Sequence, residues 1–426
     1  MNHETTLSQR DVAAVWHPYS QLPIDGPPIA IVEGKGVYLY AEDGRSYIDA
    51  ISSWWVNLHG HAHPYIAEQL YKQLHKLEHV IFAGFTHSPA IELAERLLSI
   101  LPDNQRKIFY SDNGSTAVEI ALKMCLQYWH NTGQCKKKII ALKDAYHGDT
   151  FGTMSVSARS NWTKPFENYL FEVIFLEAPN ELSLKTIKEK LYAIRQEVAC
   201  FIYEPLVQGS AGMKMYEASH LSELLCFCKE LGILLIQDEV FTGFGRTGKL
   251  FAADYLHTQP DIMCLSKGLT GGTLPLGVTS CTEPIYHAFL SNDRTKTLFH
   301  GHSYTANPLA CVAALASLDL LLKEETRLCI QRITTRHIDF ARSIRGHRNV
   351  QTIRFLGTIL AIEWRSDDVT NYFNPLRDQL YDYFLQKGIL MRPLGNVIYL
   401  LPPYCIKDEE LDYIYATIRL ALEEVG

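Results

Sequence analysis

The chain has 426 residues, 47% of them hydrophobic and 20% charged, with a formal net charge of −7. That length suffices for one large domain and a smaller one, each with a core of its own. The acidic balance argues against the basic face of a nucleic-acid binder, and no uninterrupted apolar stretch reaches the length of a membrane span.

The opening "MNHETTLSQRD" has neither the basic nor the apolar segment of a secretory signal. The ten cysteines form no CxxC, a usage that suits reduced, buried thiols, so a cytoplasmic location is expected. Helical pattern ends with "DVAAVW"; "GVYLYAEDGRSYIDA" then reads as two strands around a turn at Asp43-Gly44. "HGHAH" would put His59, His61 and His63 on one face if extended, a possible zinc set, but Gly60 and Pro64 favour a loop. No metal is assigned. The run Lys136-Lys137-Lys138 reads as a solvated loop.

From "RKIFYSD" onward, short apolar runs alternate with helical segments. "STAVEIALKMCLQYWHN" carries Val118, Ala121, Leu122 and Cys125 at helical spacing, and "ASHLSELLCFCKELG" is a second helix. The runs "KIIALKD", "FEVIFLEA", "ACFIYEP", "ILLIQDEV" and "DIMCLSK" read as strands. Such alternation indicates an α/β domain with a mostly parallel sheet. After "HGHSYTANP" a helix begins at "LACVAALASLDLLLKEE", and the tail mixes helices with the strand-like "TILAIEW" and "VIYLLPPY". The expected division is an N-terminal segment over 1–60, a large domain over 61–305 and a small α+β domain over 306–426.

Ligands of open α/β sheets gather at the carboxyl ends of the strands. The polar residues there are Asp112 to Ser115, Tyr146 to Asp149, Glu204, Asp238-Glu239 and Lys267. Gly114 and Ser115 open a helix after a strand, where free N–H groups and the helix dipole suit one phosphate. Read alone, this turn is equally an ordinary N-cap. Asp238 ends an apolar run and needs a cationic or N–H partner; a catalytic base or a metal ligand remains open for it. Lys267 is either a lysine reaching water along its stem or an amine that forms a Schiff base with an aldehyde. Amine, carboxylate and anion-binding turn together match the three handles of pyridoxal 5′-phosphate, with Tyr146 as a flat aromatic for the ring.

These stretches, with "YHGDT", "EPLVQG", "DEVFTGFGRTG" and "HGHSYTANPLAC", resemble the class III, or ω-, aminotransferases of fold type I over almost the whole chain. The resemblance implies a seven-stranded, mostly parallel sheet flanked by helices and a small α+β domain built from both chain ends. It implies Lys267 as Schiff-base lysine and proton shuttle, Asp238 on the pyridine nitrogen, and Tyr146 against the ring and substrate. Gly114 and Ser115 would bind the phosphate, while Gly301, His302 and Ser303 would come from the neighbouring subunit of a homodimer, Ser303 onto the phosphate. The family pattern often has Thr at the Ser303 position and sometimes Pro before it; Ser303 keeps the hydroxyl, and His302 is left with a backbone contact.

"WHPYS", "SSWWVNLHGHAHP", "FAGFTHSPAIEL", "MCLQYW" and "MRPLGNVIYLLPPY" narrow the likeness to the biotin-pathway branch of that family. That branch implies S-adenosylmethionine as amino donor, 8-amino-7-oxononanoate as acceptor, and a substrate pocket of Tyr19, Trp54, Tyr146, Lys267, Gly301, Arg392 and Tyr399. A lysine donor, another ω-aminotransferase acting on a diamine or 4-aminobutyrate, and a non-catalytic pyridoxal phosphate sensor are the alternatives. The sensor predicts a lost lysine or an added DNA-binding segment, and neither is in the sequence.

Overall fold

A computed structural model describes residues 5–425; the first four residues of the N-terminal segment and Gly426 lie outside that range. The chain begins with the helix Leu7–Ala14, closed at its start by a reciprocal capping box between Thr6 and Gln9. Strands β1 (Ile31–Lys35), β2 (Tyr38–Ala41) and β3 (Ser46–Asp49) follow. The β2–β3 turn forms at Asp43-Gly44, where Gly44 takes φ +86°.

The large sheet contains β4 (Gln105–Ser111), β5 (Lys138–Leu142), β6 (Val173–Leu176) and β7 (Val198–Tyr203). After a short ribbon of β8 (Val207–Gln208) and β9 (Lys214–Met215), the sheet resumes with β10 (Leu234–Asp238), β11 (Ile262–Leu265) and β12 (Gly277–Thr282). Its order is β4-β12-β11-β10-β7-β5-β6. Strand β7 is buried along its whole length, as a central strand covered on both faces must be.

The sequence reading placed no strand at β12, which runs antiparallel to both its neighbours, β4 and β11. "GVTSCT" lacks the bulky apolar run that marks the other strands, yet it is fully buried. Its hydroxyls explain how: Thr279 Oγ1 donates to Ala117 O at 2.7 Å and Ser280 Oγ to Gln105 Oε1 at 2.7 Å.

The small domain has β13 (Val350–Leu356), β14 (Ile359–Trp364) and β16 (Val397–Leu400) in one sheet. Strand β15 (Ile389–Leu390) instead pairs with β3, so residues near both chain ends share the sheet β1-β2-β3-β15. No helix among the described residues is long and apolar enough to cross a membrane.

Candidate active site

The polar groups singled out at the strand ends line one cavity of about 610 Å³, except Glu239, which is buried behind it on Gln237, Thr242 and the Ala253 amide. Lys267 follows β11 in a left-handed conformation (φ +46°), and its Nζ lies 4.4 Å from the Trp55 ring centroid and 5.8 Å from that of Phe241. Burial among these rings lowers the amine to about 8, against the opposing pull of the Asp238 and Glu204 carboxylates. Buried Arg246, whose guanidinium is spent on the carbonyls of Trp55, Asn57 and Pro402, pushes it the same way as burial.

Asp238 is the last residue of β10 and is almost fully buried. One carboxylate oxygen accepts Val240 N–H at 3.0 Å, and the other lies 2.7 Å from His147 Nδ1. His147 is buried too, with its own amide on Ser157 Oγ at 2.9 Å. Beside this pair, Glu204 accepts the amides of Tyr146 and Gly209, each at 3.0 Å. Burial pushes its carboxyl up to about 7.

The anion-binding end is the start of the helix Gly114–Asn131. Its Asn113 cap takes Thr116 N–H at 2.9 Å and the first intrahelical bond is Ala117 N to Asn113 O at 3.0 Å, which leaves the Gly114 and Ser115 amides ahead of the ladder. The Ser115 hydroxyl meets those of Thr150 and Thr153 at 2.9 and 2.8 Å. Gly148, at φ +131°, closes on this point so tightly that a Cβ there would fall 2.3 Å from Ser115 Oγ. The donor set fits pyridoxal 5′-phosphate: Lys267 for its aldehyde, Asp238 for its ring nitrogen, and the helix start for its phosphate. His147 Nε2, buried without a partner among the described residues, adds an unspent polar atom to the same wall.

Tyr19 and Arg392 line a neighbouring cavity of about 580 Å³ instead of this one; Tyr19 reaches the first through its hydroxyl, 3.4 Å from that of Tyr146 and donating to Asp149, and its ring packs edge-on against Trp54 with centroids 5.3 Å apart. Burial, then that bond to Asp149, raises the Tyr19 phenol to about 12. Arg392 donates from Nη2 to Tyr19 O at 3.2 Å and Tyr372 OH at 3.4 Å, with its Cζ 4.9 Å from the Trp54 ring centroid. No carboxylate pairs with it among the described residues.

The placement of the expected pocket residues is uneven. Trp55, which the sequence reading did not single out, covers Lys267, while Trp54 lies outside that cavity against Tyr19 and Arg392. Tyr399 is buried behind Trp55, with centroids 6.0 Å apart. Tyr372 was missed because only the tertiary fold brings it to Arg392. Ser52, Ser53, Trp54 and Trp55 all have positive φ (52°, 47°, 77° and 74°), making a left-handed turn of four side-chain-bearing residues. Such geometry costs roughly 1–2 kcal/mol per residue.

Gly301, His302 and Ser303 do not line this cavity. They lie near the surface, between Phe299 and Tyr304, which are 72% and 64% exposed. Nor do the three histidines of "HGHAH" converge: His59 bonds Ser317 Oγ at 3.0 Å and His61 bonds Asp49 Oδ2 at 3.0 Å.

Residues 21–422 match the class-III aminotransferase family. The chain belongs to that family. As a class-III aminotransferase it is a pyridoxal phosphate-dependent transferase of fold type I. It is 48% identical over 423 residues to the adenosylmethionine-8-amino-7-oxononanoate aminotransferase of Synechococcus elongatus, covering 96% of this chain and 99% of that one. The crystal structure of the enzyme of that name from Methanocaldococcus jannaschii superposes with a TM-score of 0.94 at 38% identity, covering 99% of both chains. An ω-transaminase of Pseudomonas jessenii in complex with PMP shares the fold, with a TM-score of 0.93 at 24% identity over 99% of this chain and 98% of that one.

Proposed function

We propose that this aminotransferase carries the amino group of S-adenosylmethionine to 8-amino-7-oxononanoate, giving 7,8-diaminononanoate. The observation that carries this reading is Arg392: a guanidinium without a carboxylate partner, set on an aromatic mouth beyond Tyr146. An acceptor with its carboxylate at the far end of an apolar chain needs such a fork at a distance from the reacting carbon. The names of the relatives in Synechococcus and Methanocaldococcus support the same pair of substrates.

Pyridoxal phosphate supplies the electron sink that lets an amino group leave one carbon and join another. The chain supplies the rest. Lys267 carries the proton, and an amine lowered to about 8 can give and take protons near neutral pH. Asp238, held by His147, would keep a proton on the ring nitrogen of the bound cofactor. Gly114 and Ser115 would hold the phosphate, and Tyr146 would stand against the ring. Tyr19 and Trp54 line the path of both substrates, a cation-attracting surface that suits a sulfonium donor. Trp55 shields Lys267 from water, with Tyr399 packed behind it. Gly301, His302 and Ser303 serve the neighbouring site of a homodimer, Ser303 on its phosphate; the exposed Phe299 and Tyr304 beside them suit a surface covered by a second copy.

The test is a pair of half-reactions followed by visible absorbance. Enzyme loaded with pyridoxal phosphate should lose its visible band on addition of S-adenosylmethionine and regain it with 8-amino-7-oxononanoate. Loss of the band with lysine, but not with S-adenosylmethionine, would reassign the donor. A band that 8-amino-7-oxononanoate fails to restore would reject the acceptor.

A further inference from the structure

The left-handed turn at 52–55 raises a question that the site chemistry does not answer: what holds four consecutive side-chain-bearing residues at positive φ? Two of them, Trp54 and Trp55, carry the indoles that meet Arg392 and Lys267. The surroundings converge on one fully buried carboxylate, Asp49, at the end of β3. Its Oδ1 accepts Ile51 N–H at 3.3 Å and Ser53 N–H at 2.9 Å, and its Oδ2 accepts Ser53 Oγ at 2.7 Å. These bonds satisfy amides that precede the first bonds of the turn itself, Trp55 N–H to Ile51 O and Val56 N–H to Ser52 O, each at 2.9 Å.

The carboxylate is itself held. His61 Nε2 lies 3.0 Å from Asp49 Oδ2, and His61 Nδ1 lies 3.2 Å from Asn57 Nδ2. Asn57 accepts Gly60 N–H through its oxygen, which leaves its amide nitrogen to donate to the imidazole. His61 Nδ1 is then the acceptor, and Nε2–H donates to Asp49. At the start of the turn Ser52 Oγ donates to Leu401 O at 2.6 Å, and at its far end Arg246 donates to Trp55 O at 3.1 Å. Asp49 also pairs in register with Leu390, two residues before Arg392. The Trp54 indole and the Arg392 guanidinium over it, 4.9 Å from its ring centroid, are therefore tied to the same rung.

We propose that Asp49, oriented by His61, is a positioning residue: it holds the 52–55 turn left-handed and thereby fixes Trp55 over Lys267 and Trp54 under Arg392. The inference rests on the reading of Lys267 as the amine that meets the cofactor. It separates Asp49 from residues that only support the fold, because its loss disturbs both ends of the substrate path together.

The test compares Asp49→Asn and Asp49→Ala with Tyr415→Phe, which removes a hydroxyl 2.7 Å from buried His337 in the small domain. Three readouts apply to the loaded enzyme: amide hydrogen exchange over 51–57, the pH titration of the visible band, and the two half-reactions. In the Asp49 variants, exchange over 51–57 should quicken about tenfold or more relative to Tyr415→Phe. The titration midpoint should move, and kcat/KM should fall in both half-reactions by about ten- to a hundredfold, the scale of a misplaced positioning group. Adding Ser53→Gly to Asp49→Asn should restore part of the loss, since Gly enters the left-handed region without a Cβ clash.

Wild-type exchange, titration and kinetics in a folded Asp49→Ala enzyme would overturn the inference. Should neither Asp49 variant fold, Ser53→Ala removes only the 2.7 Å hydroxyl contact, and an unchanged profile there overturns it equally. A wild-type enzyme that shows no visible band with pyridoxal phosphate would instead reject the reading of Lys267 itself.

Discussion

His147 holds Asp238 through Nδ1, 2.7 Å from Oδ2, with both side chains buried. A lone buried carboxylate would lose its hydration without return, so the imidazole is what makes a charged Asp238 tolerable at the end of β10. His147→Phe should therefore weaken retention of pyridoxal phosphate and slow both half-reactions by roughly tenfold, the scale of one unsatisfied buried polar group. Asp238→Asn, which removes the charge itself, should slow both further. Equilibrium dialysis against the cofactor and single-turnover rates measure the two effects. A His147→Phe enzyme with ordinary retention and rates would show that Asp238 needs no help from the ring.

Lys267 gives a prediction in pH. The folded chain releases the ammonium proton at about 8, the unfolded chain near 10.5. Between these values the unfolded chain binds more protons, so this group makes stability rise with pH across that window. Below about 8 both states are protonated and the cost of burying the charge is fully present. In the cofactor-free chain Lys267→Met should thus be more stable than wild type at pH 7, by on the order of 1–3 kcal/mol. The advantage should shrink from pH 8 to pH 10.5. Urea unfolding at several pH values tests this, and a difference independent of pH would mean that the amine is not desolvated. Turnover should vanish in the same variant.

The cofactor end of the site is legible in the sequence because each contributor directly follows an apolar run, and strand ends converge in an α/β sheet. Lys267, Asp238, Tyr146, Gly114 and Ser115 all reach one cavity for that reason. What escaped detection has no such local mark. His147 was visible only as a neighbour of Tyr146, and nothing in "YHGDT" says that its ring turns inward to Asp238. Strand β12 hides behind Ser and Thr residues whose hydroxyls are satisfied by distant partners. "SSWW" offers no glycine to announce a left-handed turn, so which indole covers Lys267 was not readable. Of the contacts around it, Asp49 lies just upstream, but Leu401 and Arg246 come from distant parts of the chain.

The position of Ser303 leads to a subunit-mixing experiment. It does not line the cavity containing Lys267 of its own chain, and exposed Phe299 and Tyr304 flank its segment. Lys123, on the helix that opens with Gly114 and Ser115, fixes this segment by bonding Phe299 O at 3.1 Å and His300 Nδ1 at 3.2 Å. A mixed dimer of Ser303→Ala and Lys267→Ala chains should contain one site with both defects and one with neither. Activity should recover on mixing, toward half that of wild type per mixed dimer. Mass spectrometry can establish that subunits have exchanged; mixed dimers without recovery would place Ser303 outside the shared site.

Arg392 separates the long-chain acceptor from a generic amine acceptor. Its Nη2 is committed to Tyr19 O and Tyr372 OH, and its Cζ lies 4.9 Å from the Trp54 ring centroid, but no acid neutralises it among the described residues. An incoming carboxylate would find a planar fork already held by three aromatic residues, so little side-chain entropy remains to be lost. Removing one member of a hydrogen-bonded, desolvated charge pair costs roughly 2–5 kcal/mol. Arg392→Ala should accordingly lower kcat/KM for 8-amino-7-oxononanoate by about one to three powers of ten or more. Arg392→Lys should recover little of this, because an ammonium cannot reproduce the planar fork. The half-reaction with S-adenosylmethionine should change far less if the donor carboxylate has a different anchor, so the two half-reactions must be measured separately. Equal losses in both would mean that Arg392 steadies Tyr19 and the mouth for every substrate, and the acceptor carboxylate would then need another partner.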